Sequence, residues 1–290
     1  MKRIYLICGM LFSAALVFGQ AAISGNLEWD KMEIQARVSL DLASANIKLP
    51  AGRTQGELIL SSEYLRLVQP HIRGLQVDSY STVADLIQTG IWNLADAEEI
   101  ARSAHSVPPF LSPDLLRLES LHTINLEDIS SSLLRHTRPA EIRRTLSPVP
   151  TPPYTGIIII ASSALPVHGM KSPASIVPCL FPKIWDTDMN LIFERNMLER
   201  GKKIMARYAP RQSIFYDSPS GLSPEISQWA GDRPLRIIAR GLFGNAPTDL
   251  IIDAEDALSI ISTEENRRLL REGRVLIIVD DKALKIPFNG

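Results

Sequence analysis

The stretch DLIIDAEDALSIISTEENRRLLREGRVLIIVD, Asp249–Asp280, decides how the C-terminal half of this chain is read. Asp249 to Ile252 and Arg274 to Val279 are short apolar runs rich in β-branched residues, the composition of buried strands. Between them, Asp253 offers an N-cap with Asp256 three residues on, and Ser262 or Thr263 caps a second helical segment whose box Glu265 completes. Arg267 and Arg268 come late and Gly273 ends the segment, so acids lead and bases trail, as the helix dipole favours. This strand–helix–strand unit, with hairpin-like strands upstream, predicts an α+β fold. The expectation is a small mixed sheet with packed helices in the C-terminal half and a strand-plus-helices N-terminal half.

Upstream in the same half, TGIIIIA (Thr155–Ala161) reads as a central strand buried on both faces. Ile176 to Trp185 is extended but interrupted by Pro178 and Pro182, Asn190 to Glu194 alternates as a strand, and Leu235 to Arg240 is another. SPVPTPPY, Ser147–Tyr154, places four prolines in eight residues, which removes backbone donors and stiffens the chain. It marks the boundary between an N-terminal strand-and-helix domain (residues 20–146) and a C-terminal α/β domain (155–290), with 147–154 as linker.

In the first half, Met32, Ile34, Ala36, Val38 and Leu40 alternate inward along a strand. Thr54 and Glu57 are spaced as a capping box, followed by a stripe of Leu58, Leu65 and Val68 that ends near Pro70. Shorter helices are predicted at Thr82–Thr89, before Gly90, and at about Leu94–His105. Pro108-Pro109 breaks the pattern. A strand at about Leu115–His122 and a helix from Leu126 to Arg135, capped by Asn125, complete the half.

Lys2 and Arg3 precede an uncharged apolar run, Ile4–Phe18, too short to span a bilayer and of the length of an export signal. The cut falls after Gly19 or after Ala21. Bulky Ile7 before an early Cys8 argues against a lipid anchor. The expectation is a periplasmic protein with no later membrane span and with peripheral contact at the outer membrane. Loss of residues 1–19 removes two bases and no acid, leaving a net charge of −3, which is no nucleic-acid footprint. One cysteine, Cys179, then remains, so no internal disulfide forms.

Three constellations merit chemistry. Asp186-x-Asp188-x-Asn190 has alternating oxygens, but a calcium loop would want glycine at its sixth position and glutamate at its twelfth, where Leu191 and Met197 stand. Asp and Asn at this spacing read as a hairpin turn; a metal- or ligand-binding module at Asp186 and Asp188 is the alternative. Cys179 and His168 raise a hydrolase, with a thiolate and a base that must meet, yet Cys179 lies in apolar IVPCLF, the setting of an inert thiol. The five histidines, His71, His105, His122, His136 and His168, show no zinc spacing. RHTRPAEIRR carries Arg135, Arg138, Arg143 and Arg144 against one glutamate, a patch suited to an anionic surface, with a solvated connector as the plainer reading.

YTGIIIIASSALPVHGMKSPASIVPCLFPKIWDTDMNLIFER, PLRIIARGLFGNAPTDLIIDAEDALSII and the final GRVLIIVD together resemble the C-terminal part of a bacterial cell-envelope family, the spirochaete-type exported proteins. More distantly they resemble small outer-membrane lipoproteins and proteins of flagellar outer-membrane rings or basal disks. The likeness covers roughly residues 154–282, with Pro182, Ile184, Asp186, Asp188, Ile192 and Phe193 filling the hairpin pattern; the lipobox cysteine is missing. The resemblance implies no catalytic residue and no cofactor, and a surface that meets other envelope proteins or copies of itself; the turn reading of Asp186 and Asp188 sets no metal there. The function expected is therefore a non-enzymatic structural or adaptor protein of the envelope, associated with outer-membrane or flagellar assemblies.

Overall fold

The computed structural model describes residues 21–290; the expected export signal lies outside them. The fold is α+β. The N-terminal half contains β1 (Ala21–Glu28), β2 (Glu33–Asp41), α1 (Arg53–Arg73), α2 (Val83–Gln88), α3 (Leu94–Arg102), β3 (His105–Leu111), β4 (Arg117–Asn125) and α4 (Leu126–Leu133). The C-terminal half contains β5 (Ile157–Ile160), β6 (Ile184–Asp186), β7 (Leu191–Phe193), β8 (Arg207–Pro210), α5 (Pro224–Ala230), β9 (Leu235–Ile238), β10 (Gly241–Phe243), β11 (Asp249–Ile252), α6 (Ala254–Ile261), α7 (Glu264–Arg271), β12 (Val275–Val279), α8 (Asp281–Leu284) and β13 (Lys285–Asn289).

Five strands form an antiparallel sheet in the order β13-β1-β2-β4-β3. Ile34, Ala36, Val38 and Leu40 of β2 are buried on the face that α1 covers. The buried positions of α1 are Gly56, Leu60, Tyr64, Val68 and Ile72, a strict spacing of four, while Leu58 is 69% exposed. Of the expected stripe, Val68 is buried and Leu65 packs partly against the core, whereas Leu58 points to solvent. Gly56 sits against Leu118, which a Cβ there would press at 3.0 Å. The helix also runs through Pro70: burial of Val68 and Ile72 outweighs one lost hydrogen bond at an exposed site. No capping box forms at Thr54, because Gly52 is the N-cap and Glu57 instead receives the Arg53 guanidinium at 2.9 Å. Pro108 and Pro109 lie within edge strand β3, at a register shift between Val107 and Phe110, not in a break. Thr82 does form the box, with Asp85, and Asn125 caps α4.

Instead of one mixed sheet, the C-terminal half holds two four-stranded sheets. One is parallel, β8-β12-β5-β9; the other is mixed, β10-β11-β6-β7. Ile157–Ile159 and all of β12 are buried, so these central strands face protein on both sides. On one side Ile158, Leu276 and Ile278 meet Ile214, Leu222 and Ile226; the other side joins the core that runs into the N-terminal half. The last strand leaves this half altogether. β13 pairs with β1, so residues 285–289 belong to the N-terminal sheet, although the sequence division places them in the C-terminal domain.

The proline-rich segment is fastened down. Asn266 of α7, buried, accepts from the Tyr154 amide (3.0 Å) and donates to the carbonyls of Pro152 (3.2 Å) and Ser259 (3.0 Å). The Val149 amide donates to Ser262 Oγ at 3.1 Å. Asp253, placed at the N-cap of α6, makes no capping bond; Arg240 holds its carboxylate at 2.6 Å. Thr263 caps α7 by accepting from the Asn266 amide.

Candidate functional site

The opening turn of the β6–β7 hairpin is built around one carboxylate. Asp186 is buried, and its Oδ1 accepts from the amides of Asp188 (3.0 Å) and Asn190 (2.7 Å). Asn190 Nδ2 donates to Asp186 Oδ2 at 2.8 Å. The backbone closes the same loop, with Asp186 N donating to Asn190 O and Met189 N to Asp186 O, and Met189 takes a left-handed φ of 59°. Asp186 is therefore occupied by local donors, while Asp188 faces solvent. Among the described residues no three His, Cys, Asp or Glu side chains gather as a metal site.

Around this turn lies a groove of about 350 Å³. Ala254, Ala257, Leu258 and Ile261 of α6, with Ile192 of β7, make an apolar floor; one wall is the turn and the other is the segment Arg143–Ser147. The arginine segment is held in place at several points. His136 Nε2 bonds the Leu198 carbonyl at 2.8 Å, Ala140 N donates to Asn196 O at 2.7 Å, and Ile142 is buried. Arg135 stands 3.6 Å from Asp96, whereas Arg138, Arg143 and Arg144 are exposed and have no carboxylate partner among the described residues. Leu146 beside them is fully exposed. Arg143, Arg144 and the hairpin turn, far apart in sequence, thus meet around one groove, a juxtaposition that no local pattern signals.

Cys179 and His168 do not meet. Cys179 is 1% exposed; its amide donates to Tyr208 Oη (3.0 Å), and that hydroxyl donates to the Cys179 carbonyl (2.9 Å). Burial, assisted by the charge of Asp249, pushes the thiol well above its usual range, against smaller opposing hydrogen bonds from Thr248 and Tyr208. The His168 ring lies instead 5.9 Å from Phe243, and no hydrogen bond joins it to Cys179.

Next to the thiol sits a polar network that sequence reading missed. Asp249, fully buried, accepts from Thr248 Oγ1 (3.0 Å), Ser79 Oγ (3.1 Å), Trp185 Nε1 (3.2 Å) and the Lys183 amide (3.3 Å). Burial holds its carboxyl above the ordinary value, opposed by the donors of Trp185, Lys183 and Thr248. A second missed carboxylate, buried Glu28, lies between Lys31 (2.6 Å) and Lys285 (2.8 Å). A further cleft of about 430 Å³ lies at the starts of β8 and β12, where Arg207 covers the Trp229 ring at 4.5 Å and pairs with Glu127 at 2.7 Å.

Residues 20–132 match the family model described as Treponema pallidum Tp0624, N-terminal domain, and residues 156–281 match that described as Treponema pallidum Tp0624, second domain. The chain is a Tp0624-type protein. The spirochaete side of the resemblance is thereby carried by both halves. The arginine and proline segments fall between the two Tp0624 matches, and β13 falls beyond them. The comparison with curated proteins finds no match. No helix among the described residues is long and apolar enough to cross a membrane.

Proposed function

We propose that this protein is a non-enzymatic structural or adaptor component of the cell envelope, exported to the periplasm, which recognises an acidic envelope partner through the arginine segment and its groove. The observation that carries the reading is the state of Arg138, Arg143 and Arg144: exposed, without carboxylate partners among the described residues, and presented on a segment pinned to the C-terminal half. Arginines of this kind, beside exposed Leu146 and an apolar floor, supply both charge pairing and apolar contact to a partner. The sealed Cys179 and the self-satisfied Asp186 support recognition over catalysis.

The test is cross-linking in intact cells followed by purification and fractionation. The wild-type protein is expected in the periplasmic fraction with an envelope protein attached, from the outer membrane, the flagellar basal structures or elsewhere. The triple variant Arg138→Glu, Arg143→Glu, Arg144→Glu is expected to lose that capture while keeping its melting temperature within a few degrees. A wild-type protein found in the cytoplasm, or one that captures nothing, overturns the proposal; capture that survives charge reversal overturns the assigned surface.

A further inference from the structure

Open sheet edges invite pairing with other chains, and most edges here are guarded. β3 carries Pro108 and Pro109, and β13 carries Pro287. β8 ends in Pro210 with α8 packed beside it. β7 has only three residues, and beyond β10 the chain pairs Val167 with Leu242. β9 is treated differently. It is an edge of the parallel sheet, with no proline within it.

Its inner side bonds β5: the Leu235 amide donates to Gly156 O (2.9 Å) and the Ala239 amide to Ile160 O (3.0 Å). Alternation along the strand turns the N–H and C=O groups of Arg236 and Ile238 outward. Among the described residues these have no partner. The window is closed at both ends. Pro234 has no N–H, and the Arg240 amide is taken by Ile251 O at 2.8 Å. The side chains of Arg236 and Ile238 are exposed, Ile238 at 63%.

We propose that this two-residue window pairs antiparallel with the same window of a second copy, joining two parallel sheets across a two-fold axis beside Ile237. The window selects its own register. Arg236 stands opposite the partner's Ile238, and each such pair exchanges both backbone hydrogen bonds. The aliphatic stem of Arg236, whose guanidinium is held by Ser220 O at 2.7 Å, then covers the partner's Ile238. No arginine faces an arginine, a clash that a register of like residues would create. Self-complementarity is what points to a second copy: one cation and one apolar side chain, two apart, are set against each other by two-fold symmetry. The contact is small, so the dimer is weak and concentration-dependent. It is independent of the groove described above.

The purified protein is expected to show a rising average mass with concentration in sedimentation velocity. Ile238→Pro removes only an outward amide, so it is expected to fold as wild type does and to stay monomeric. Register is read by mixing an Arg236→Cys chain with an Ile238→Cys chain under mild oxidation. The mixture is expected to form an intermolecular disulfide faster than either chain alone, and buried Cys179 does not compete. A protein that stays monomeric at the highest concentration reached overturns the proposal. So does a dimer that Ile238→Pro leaves intact, or a mixture no faster than the single variants. If Ile238 cross-links in cells only to a different protein, another chain occupies the edge and the second copy is excluded.

Discussion

Replacing Asp249 with alanine tests whether the buried polar groups serve architecture. Four donors converge on its carboxylate, at 3.0 to 3.3 Å. Two of them, the hydroxyls of Ser79 and Thr248, can rotate toward other acceptors. The Trp185 indole N–H and the Lys183 amide cannot, and each buried donor left without an acceptor costs about 1–3 kcal/mol. Removing the carboxylate also ends its desolvation, which offsets part of the loss. The net expectation is a destabilisation of about 3 kcal/mol for Asp249→Ala. Asp249→Asn keeps one acceptor oxygen but turns an amide donor toward other donors, and is expected to cost about 1–2 kcal/mol. Urea unfolding followed by tryptophan fluorescence reads both, provided the slope with denaturant is unchanged. Because Ser79 lies before α2 and Asp249 in β11, both halves should lose stability in one transition. An alanine variant within about 1 kcal/mol of wild type, or an asparagine variant as damaging as alanine, would refute the reasoning.

The native thiol of Cys179 should resist a water-soluble disulfide reagent at neutral pH and react fully once urea unfolds the chain; rapid native labelling would restore the hydrolase reading. Asp186→Ala should cost about 1–2 kcal/mol in urea midpoints, for the loss of two amide partners, while Asp188→Ala should be near neutral. Calorimetry with calcium or manganese should be silent for both variants and wild type. Burial works to raise the Glu28 carboxyl, but hydrogen bonds from Lys285 and Lys31 outweigh it and hold it below its usual 4.5. A lowered carboxyl adds stability above 4.5 that is lost as pH falls through its folded value. The stability gap between wild type and Glu28→Gln should therefore be full at pH 7 and close in acid, and a gap that widens below pH 4.5 would sink this account.

What was legible in the chain was local. The helix at Thr82–Thr89, Asn125 before α4 and the isoleucines of β5 each carry their signal within a few residues, and α6 and α7 lie where their acids and arginines place them. β1 and β13 were not legible: the first follows closely on the apolar run Ile4–Phe18 of the sequence and contains Gly25 and Asn26, and the second is short, largely exposed and carries Pro287. At the start of α1 the stripe was misread at Leu58, an exposed leucine that imitates a core residue, because Gly56 fills the buried position with no side chain; Leu65 and Val68 do face the core. At the candidate site, the turn chemistry of Asp186 and Asn190 is visible in sequence. The groove is not, since its walls come from residues 143–147, 186–192 and 254–261. Asp249 reads only as the start of a strand; its partners Ser79 and Trp185 are 170 and 64 residues away.

The same separation explains why the two Tp0624-type regions do not behave as beads on a string. A proline-rich connector lacks N–H donors and would ordinarily be solvated and stiff. Here its remaining carbonyls and amides are used instead: Pro152 O receives Asn266, and Tyr154 N and Val149 N find side-chain acceptors on α7 and just before it. β13 crosses back to complete the first sheet, and Lys285 at its start neutralises Glu28 of β1. Ser79 reaches into the second half at Asp249. These ties leave the arginine segment between the matched regions little freedom of its own, so Arg138, Arg143 and Arg144 are presented with less ordering entropy left to lose on binding. A tether would not need such fastening; the recognition surface proposed above would use it.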